Sequence, residues 1–510
     1  MEPRLEHQTI KIRQLIDDFQ SGRIVIPEFQ RGYVWSPSKA PKLIDSLFQD
    51  FPIASLLLWQ SAEIVRPRSN ESQLGRSRSF SWLIDGQQRV YTLAHVKDGD
   101  EGLNVVFNPD TSEFRLANAA TKRDRRWLRV AEIWDDEQYR QIRKGFDSDP
   151  RGRAGEARID RVRRILDYEV PVVRMIDHTF KDAVSAFQRI NTLGTRLKET
   201  DIESAQIAAV HTGFIADEVI PFLHKLRTSG FTRINIMHLF KACEFIAKPD
   251  GRDRKLLHEM SKKEVESAWR KTQRATQVAI GLVRSELGLI NMDILWSGSI
   301  LVPVIAMCAT QGPKELNARG VGGWIALAAL SRRYSGSSKT ALEQDLRACR
   351  SGDPLGALIS NIRQTRQLKA RPEDFSGSLA NKSGLLAMYL ACRHKGLLDF
   401  YQKGNIVLQD NVDRHHILPR AQFPENQRVS SDCIANLAFI SGPTNKALGL
   451  TGPDVYLPKI GSEILESQCI PQNKDLWRID KADSFWAMRK RLLAKSFNCF
   501  IRETLPNRKL

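Results

Sequence analysis

Val412-Asp413-Arg414-His415-His416-Ile417-Leu418-Pro419-Arg420 is the stretch on which the reading of this chain turns. Arg414 to Leu418 predicts a short strand broken by Pro419. Ile434 to Ile440 predicts a second strand, and the segment after Pro443 predicts the start of a helix. Asn436 and Asn445 follow the histidines at a spacing that can fold back onto them. Neighbouring strand residues point to opposite faces, so His415 and His416 cannot share one task unless the strand is distorted. A metal ligand beside a base, set to attack a phosphodiester, is one reading of the pair. The bland readings are a structural histidine pair with chance asparagines, and Asn436 as a turn former.

Outward from that stretch, 510 residues are too many for one core, and two or three domains are expected. Hydrophobic residues at 42% and charged residues at 27% suit a globular chain rather than a disordered one. The formal net charge of +18 favours a polyanionic partner, nucleic acid before an anionic membrane surface, because its basic residues are dispersed among foldable segments. Seven scattered cysteines include no Cys-x-x-Cys pair, which fits buried thiols and neither a zinc knuckle nor a redox dithiol. The N-terminus has no secretory apolar run, and the uncharged run from Ile294 to Pro313 reads as a buried core helix. A cytoplasmic protein with no membrane partner is the expectation; self-association is left open.

In the N-terminal third, Ile12, Leu15, Ile16 and Phe19 recur at helical spacing, and Gly22 ends the run. Ile24-Val25-Ile26 leads into Pro27-Glu28-Phe29-Gln30-Arg31-Gly32-Tyr33-Val34-Trp35. Leu43, Ile44, Leu47 and Phe48 mark a second helix, Pro52 to Trp59 a buried strand, and residues 61–79 a surface excursion. Phe80 to Ile84 is another strand, delivering Asp85-Gly86-Gln87-Gln88-Arg89 to the start of a helix. A strand, a glycine turn and a helix N-terminus together make an anion site, where Asp85 could hold a metal or orient a water and Arg89 could pair a phosphate bidentately. The plain alternative has Asp85 capping the helix and Arg89 solvated. Lys122 to Arg129 surrounds Trp127 with cations, and Arg151 to Arg164 adds six arginines, either a phosphate-tracking surface or a solvated face with Trp127 in the core. No phosphate-binding loop of the Gly-x4-Gly-Lys-[Ser/Thr] type occurs; Gly336-Ser337-Ser338-Lys339-Thr340 comes nearest and lacks the second glycine.

Pro27 to Trp35 followed by Ile84-Asp85-Gly86-Gln87-Gln88-Arg89 resembles the N-terminal domain of GmrSD-type and SspE-type modification-dependent restriction enzymes, which is ParB-like. Ala186-Phe187-Gln188-Arg189-Ile190-Asn191-Thr192-Leu193-Gly194 is similar to a third segment of that family. The resemblance spans roughly residues 8–205. It implies binding and hydrolysis of an NTP, GTP or ATP, with Asp85, Gly86, Gln87, Gln88 and Arg89 in the site and Arg31 facing it. It also implies sensing of modified DNA, either a phosphorothioate backbone or a modified cytosine.

His415-His416-Ile417-x-Pro419, Asn436-Leu437 and Asn445-Lys446 resemble the HNH nucleases, whose fold is the ββα-metal unit, and look like the C-terminal half of the same enzymes. The resemblance makes His415 and Asn445 metal ligands, His416 the general base and Asn436 the residue that fixes the loop orienting it. The implied ion is Mg²⁺ or Mn²⁺, and Lys446, Arg414 and Arg420 are candidate phosphate contacts. The expected architecture is α/β plus mainly α: a ParB-like α/β domain at 1–205, a helical connector at 206–395 and an HNH domain with helical surround at 396–510. The expected function is an antiphage DNA endonuclease that nicks or cleaves. Against it stand a DNA-binding NTPase switch with a vestigial HNH site and an RNA-directed toxin nuclease.

Overall fold

The structure is a computed structural model that describes residues 4–28, 30, 33, 35–61, 80–146, 152–193, 199–248, 255–312, 315–336, 338–364, 368–402 and 412–505. It is mixed α/β and mostly helical. The chain divides into two compact units, Met1–Ile220 and Pro221–Leu510. Residues 206–395, expected as a connector, are thus split between them, and most share the second unit with 396–510.

The first unit is built on β1 (Arg4–Lys11), β2 (Ile24–Val25), β3 (Leu56–Gln60), β4 (Ser81–Asp85) and β8 (Glu169–Ile176), in the sheet order β1-β8-β3-β4-β2. A smaller sheet, β6-β5-β7, joins β5 (Val105–Asn108), β6 (Glu113–Leu116) and β7 (Leu128–Arg129). Strands β3 and β4 are buried along nearly their whole length, which is why they read as unbroken apolar runs rather than alternating ones. They pair antiparallel, with Trp59 opposite Trp82, and β3 then runs parallel to β8. Helices α1 (Ile12–Gln20), α2 (Lys39–Phe48) and α3 (Gln87–Asp98) bury Ile12, Leu15, Ile44, Leu47, Val90 and Leu93 in the unit's core. The strand β1 was not foreseen. It is an exposed edge, with only Gln8 and Ile10 half-buried, so it has no apolar pattern to read; its register against β8, from Arg4 opposite Ile176 to Lys11 opposite Glu169, holds it.

In the second unit the uncharged run carries a core helix, Leu301–Thr310, in which Leu301 to Met307 are all buried. No helix among the described residues is long and apolar enough to cross a membrane. The histidine stretch forms β9 (Val412–His416), which pairs antiparallel with β10 (Leu437–Ser441), and a helix, Gly442–Leu448, follows directly. Its start is set by Ser441, whose Oγ accepts from Thr444 N at 3.3 Å, and by Pro443 in the first turn. The long C-terminal helix Ala482–Thr504 packs Phe485 and Trp486 into the same core as Ile417, Leu418 and Ala438.

Candidate active site

In the β9–β10 register, His416 lies opposite Leu437 and His415 opposite Ala438. As alternation requires, the two imidazoles have different partners. His415 is 5% exposed and packs edge-on against Phe400 and Tyr456, with ring centroids 6.4 and 5.9 Å away. Its Nδ1 lies 2.9 Å from Asn445 Oδ1, and Asn445 Nδ2 donates to Asp413 Oδ2 at 2.8 Å. Asp413 thereby fixes the amide so that its oxygen faces the imidazole. Burial pushes the His415 pKa below that of a free histidine, which keeps the ring neutral, the form that ligates metals.

His416 is half-buried, and its Nε2 is 3.1 Å from Asp432 Oδ1. The other oxygen of Asp432 is 3.1 Å from Arg420 Nη1, so one carboxylate joins the histidine to an arginine of the cleft rim. The loop after β9 is held by Asn436, which is fully buried. Its Oδ1 accepts from Leu418 N at 2.9 Å, and its Nδ2 donates to the carbonyls of Leu418 at 2.9 Å and Ser431 at 2.8 Å. The Asn436 carbonyl accepts from Ile417 N at 2.7 Å. The turn carrying Asn436 is itself braced by Arg489, a fully buried guanidinium donating to Ala435 O at 2.9 Å and Gln468 O at 3.0 Å.

His415, His416 and Asn445 border one open cleft of about 480 Å³, lined also by Arg414, Arg420 and Arg428 among others. Three arginines therefore stand around a histidine pair. Lys446 is exposed and not among the lining residues. The donor set fits a divalent ion in its chemistry: a neutral imidazole nitrogen and an amide oxygen, His415 Nδ1 and Asn445 Oδ1, lie side by side 2.9 Å apart. Among the described residues no group of three His, Cys, Asp or Glu side chains is placed to hold a metal.

The first unit brings the Pro27–Trp35 and Asp85–Arg89 segments together. Gln30 Nε2 donates to Ile84 O at 2.8 Å and also to Leu83 O. Trp35 N donates to Gln88 Oε1 at 3.2 Å, and Tyr33 stacks on Tyr91 with centroids 4.5 Å apart. Gln87 and Gln88 are buried in the first turn of α3. Gly86 turns the chain at φ +98°, where a Cβ would collide with Leu56 Cδ2. The Arg89 guanidinium donates to the carbonyls of Ile53, Ala54 (2.6 Å) and Ser55 (3.0 Å) and pairs with Asp85 at 3.3 Å. It is neither the solvated charge nor the open phosphate partner that the sequence suggested. Glu28, fully buried, accepts from the backbone N–H groups of Gly213 and Ala216 at 2.8 and 3.1 Å. Arg31 and Gly194 lie outside the described residues, as do the side chains of Gln188 and Asn191.

Residues 12–208 match the family model of the GmrSD restriction endonuclease N-terminal domain. The GmrSD match thus covers all three motif segments of the first unit and none of the second. The chain is also 21% identical to an uncharacterized protein of Methanocaldococcus jannaschii, over 92% of its own length and 89% of that protein's.

Within the GmrSD-like segment the arginine-rich helix Gly152–Arg164 is less free than its composition suggests. Arg158 donates to Pro109 O at 2.6 Å, Arg163 to Ile133 O at 2.9 Å, and Arg161 lies over the Phe48 ring at 4.7 Å. Trp127 is half-buried beneath the Arg115 guanidinium, 5.0 Å from its ring, while Lys122, Arg123, Arg125 and Arg126 are exposed around it. In the second unit the sequence reading missed Asp432 and Arg428. A carboxylate sixteen residues beyond its histidine carries no local signal.

Proposed function

We propose that the chain is a DNA endonuclease of the defence type, in which the GmrSD-like first unit senses modified DNA and binds and hydrolyses an NTP, and the C-terminal segment nicks or cuts as an HNH nuclease. The observation that carries the nuclease half is the buried His415 with its Nδ1 2.9 Å from Asn445 Oδ1, and His416 on the rim of the same arginine-lined cleft. His415 and Asn445 would hold the Mg²⁺ or Mn²⁺. A divalent ion bound there would supply charge stabilisation to the phosphate and its leaving oxygen.

His416 is the general base. With Nε2–H donated to Asp432, the ring's lone pair is on Nδ1, and Nδ1 takes the proton of the attacking water. Asp432 holds the tautomer and stabilises the imidazolium that forms. Asn436 holds the loop that begins at Ile417, and Arg414, Arg420 and Arg428 neutralise the phosphates on either side of the cut. In the first unit Asp85, Gly86, Gln87, Gln88 and Arg89, with Arg31 facing them, form the nucleotide site. Arg89 acts there by fixing residues 53–55 against Asp85.

The test is purified full-length protein with Mg²⁺ or Mn²⁺ on modified and unmodified plasmid, with and without GTP or ATP. Nicking that requires metal and is lost in His416→Ala is expected. A His416→Ala protein that cleaves like wild type rules out the assigned base. NTP turnover with no nicking on any substrate would replace this reading with a DNA-binding switch.

A further inference from the structure

We propose that the second unit carries a track for the DNA backbone beside the cut, running from the nuclease cleft past Lys382 into a basic cleft at the N-terminus of the helix Lys382–His394. This rests on the nuclease reading above. The basic cleft encloses about 680 Å³, and Arg332, Arg363, Lys369 and Arg371 line it with their side chains exposed. Two carboxylates also line it, Glu373 and Asp374, and Asp374 already accepts from Arg371 N at 2.7 Å. Neither Arg363 nor Lys369 makes an ion pair among the described residues. Arg332 is held in place at φ +51°, with Nη2 donating to Asn381 Oδ1 at 2.8 Å.

The same Asn381 oxygen accepts from Gly384 N at 3.2 Å, and Ser383 and Gly384 border the cleft, so the first turn of a 13-residue helix opens onto these cations. The positive end of a helix dipole beside guanidinium groups suits phosphate oxygens.

Two observations join this cleft to the nuclease. Ile434 N, in the turn that carries Asn436, donates to Gly377 O at 2.8 Å in the segment leading to the helix. Lys382, next to Asn381, is within electrostatic range of Arg414 on the nuclease cleft and of Arg233. Burial first, and then Arg414, push its amine pKa down, with Asp293 acting against them and Arg233 adding the least. Asp293 offsets part of this positive charge, and a phosphodiester backbone passing Lys382 and Arg414 would offset more, with an anion at each step. The exposed, open form of the basic cleft suits a chain that passes through it.

The test measures the affinity of the full-length chain for a fluorescein-labelled duplex in EDTA across a salt series. Each phosphate contact contributes a slope of about 0.9 in log affinity against log salt. The double variant Arg363→Glu/Lys369→Glu is expected to lower the slope by about 2 and weaken binding at least tenfold at low salt. Lys382→Gln lowers the slope by about 1. Arg363→Lys/Lys369→Arg keeps the wild-type slope, which separates lost charge from a damaged fold. A wild-type slope and affinity in the charge-reversed protein, with wild-type nicking intact, overturns the track alone. A wild-type chain that neither binds nor nicks DNA overturns the nuclease reading and the track with it.

Discussion

Asn436→Ala isolates what the buried amide does. The side chain is fully buried and makes three hydrogen bonds, one accepted from Leu418 N and two donated to the carbonyls of Leu418 and Ser431. Truncation removes all three partners at once and leaves one backbone N–H and two carbonyls behind. A buried donor left unmade costs about 1–3 kcal/mol, and a carbonyl toward the low end of that range, so the sum is about 3–5 kcal/mol. For a unit of this size 1 kcal/mol moves the melting temperature by about 2 °C, which gives a loss of about 6–10 °C in calorimetry. Asn436→Asp should be no milder. It keeps the acceptor for Leu418 N but turns a carboxylate oxygen toward two carbonyl oxygens. Because Leu418 is two residues from His416, both variants should also lose nicking at temperatures where they remain folded. Melting of Asn436→Ala within about 2 °C of wild type would refute the hydrogen-bond reasoning. Early melting with wild-type nicking would refute the link to His416.

Asp432→Asn should lower kcat for nicking about 10- to 100-fold with little change in KM, since it removes the charge that holds and stabilises His416; an unchanged kcat would mean the carboxylate serves only Arg420. Gly86→Ala should destabilise the first unit by about 2–4 kcal/mol, from the left-handed backbone and the collision with Leu56, and a melt indistinguishable from wild type would contradict that turn. His238, which accepts from Asn235 N through Nδ1 and contacts Ser299 Oγ at 3.1 Å through Nε2, has its pKa pushed by burial from 6.5 to about 4. Its folded pKa lies below the unfolded one, so the unfolded chain takes up the proton first. The stabilisation is complete above pH 6.5 and lost as pH falls toward 4, amounting to about 3 kcal/mol. His238→Gln should flatten denaturant-measured stability across that window, and parallel curves for the two proteins would count against it.

The parts of this chain legible in its sequence are those whose information is local. Leu56 to Trp59 and Trp82 to Ile84 are buried strands, and unbroken apolar runs announced them. The helix after β10 was announced by Pro443, and its observed start adds the Ser441 cap. The edge strand β1 was illegible because its residues face water and its partner lies more than 150 positions away. Arg89 shows the same limit more sharply. Five residues around a glycine specify a strand, a turn and a helix start, yet nothing in them says that the guanidinium will be spent on the carbonyls of residues 53–55.

In the candidate nuclease site, adjacency in the chain separated His415 from His416 correctly into two environments, because strand alternation is a local rule. In the proposed mechanism, what would distinguish a ligand from a base is set by groups outside β9. Burial against Phe400 and Tyr456 lowers the His415 pKa, whereas Asp432 pairs with one nitrogen of the half-buried His416. Exchanging those surroundings would exchange the chemistry each imidazole can do, even with the His-His pair unaltered. The pair therefore marks the candidate site, and in the proposed mechanism Asn445 and Asp432 set which histidine takes which role.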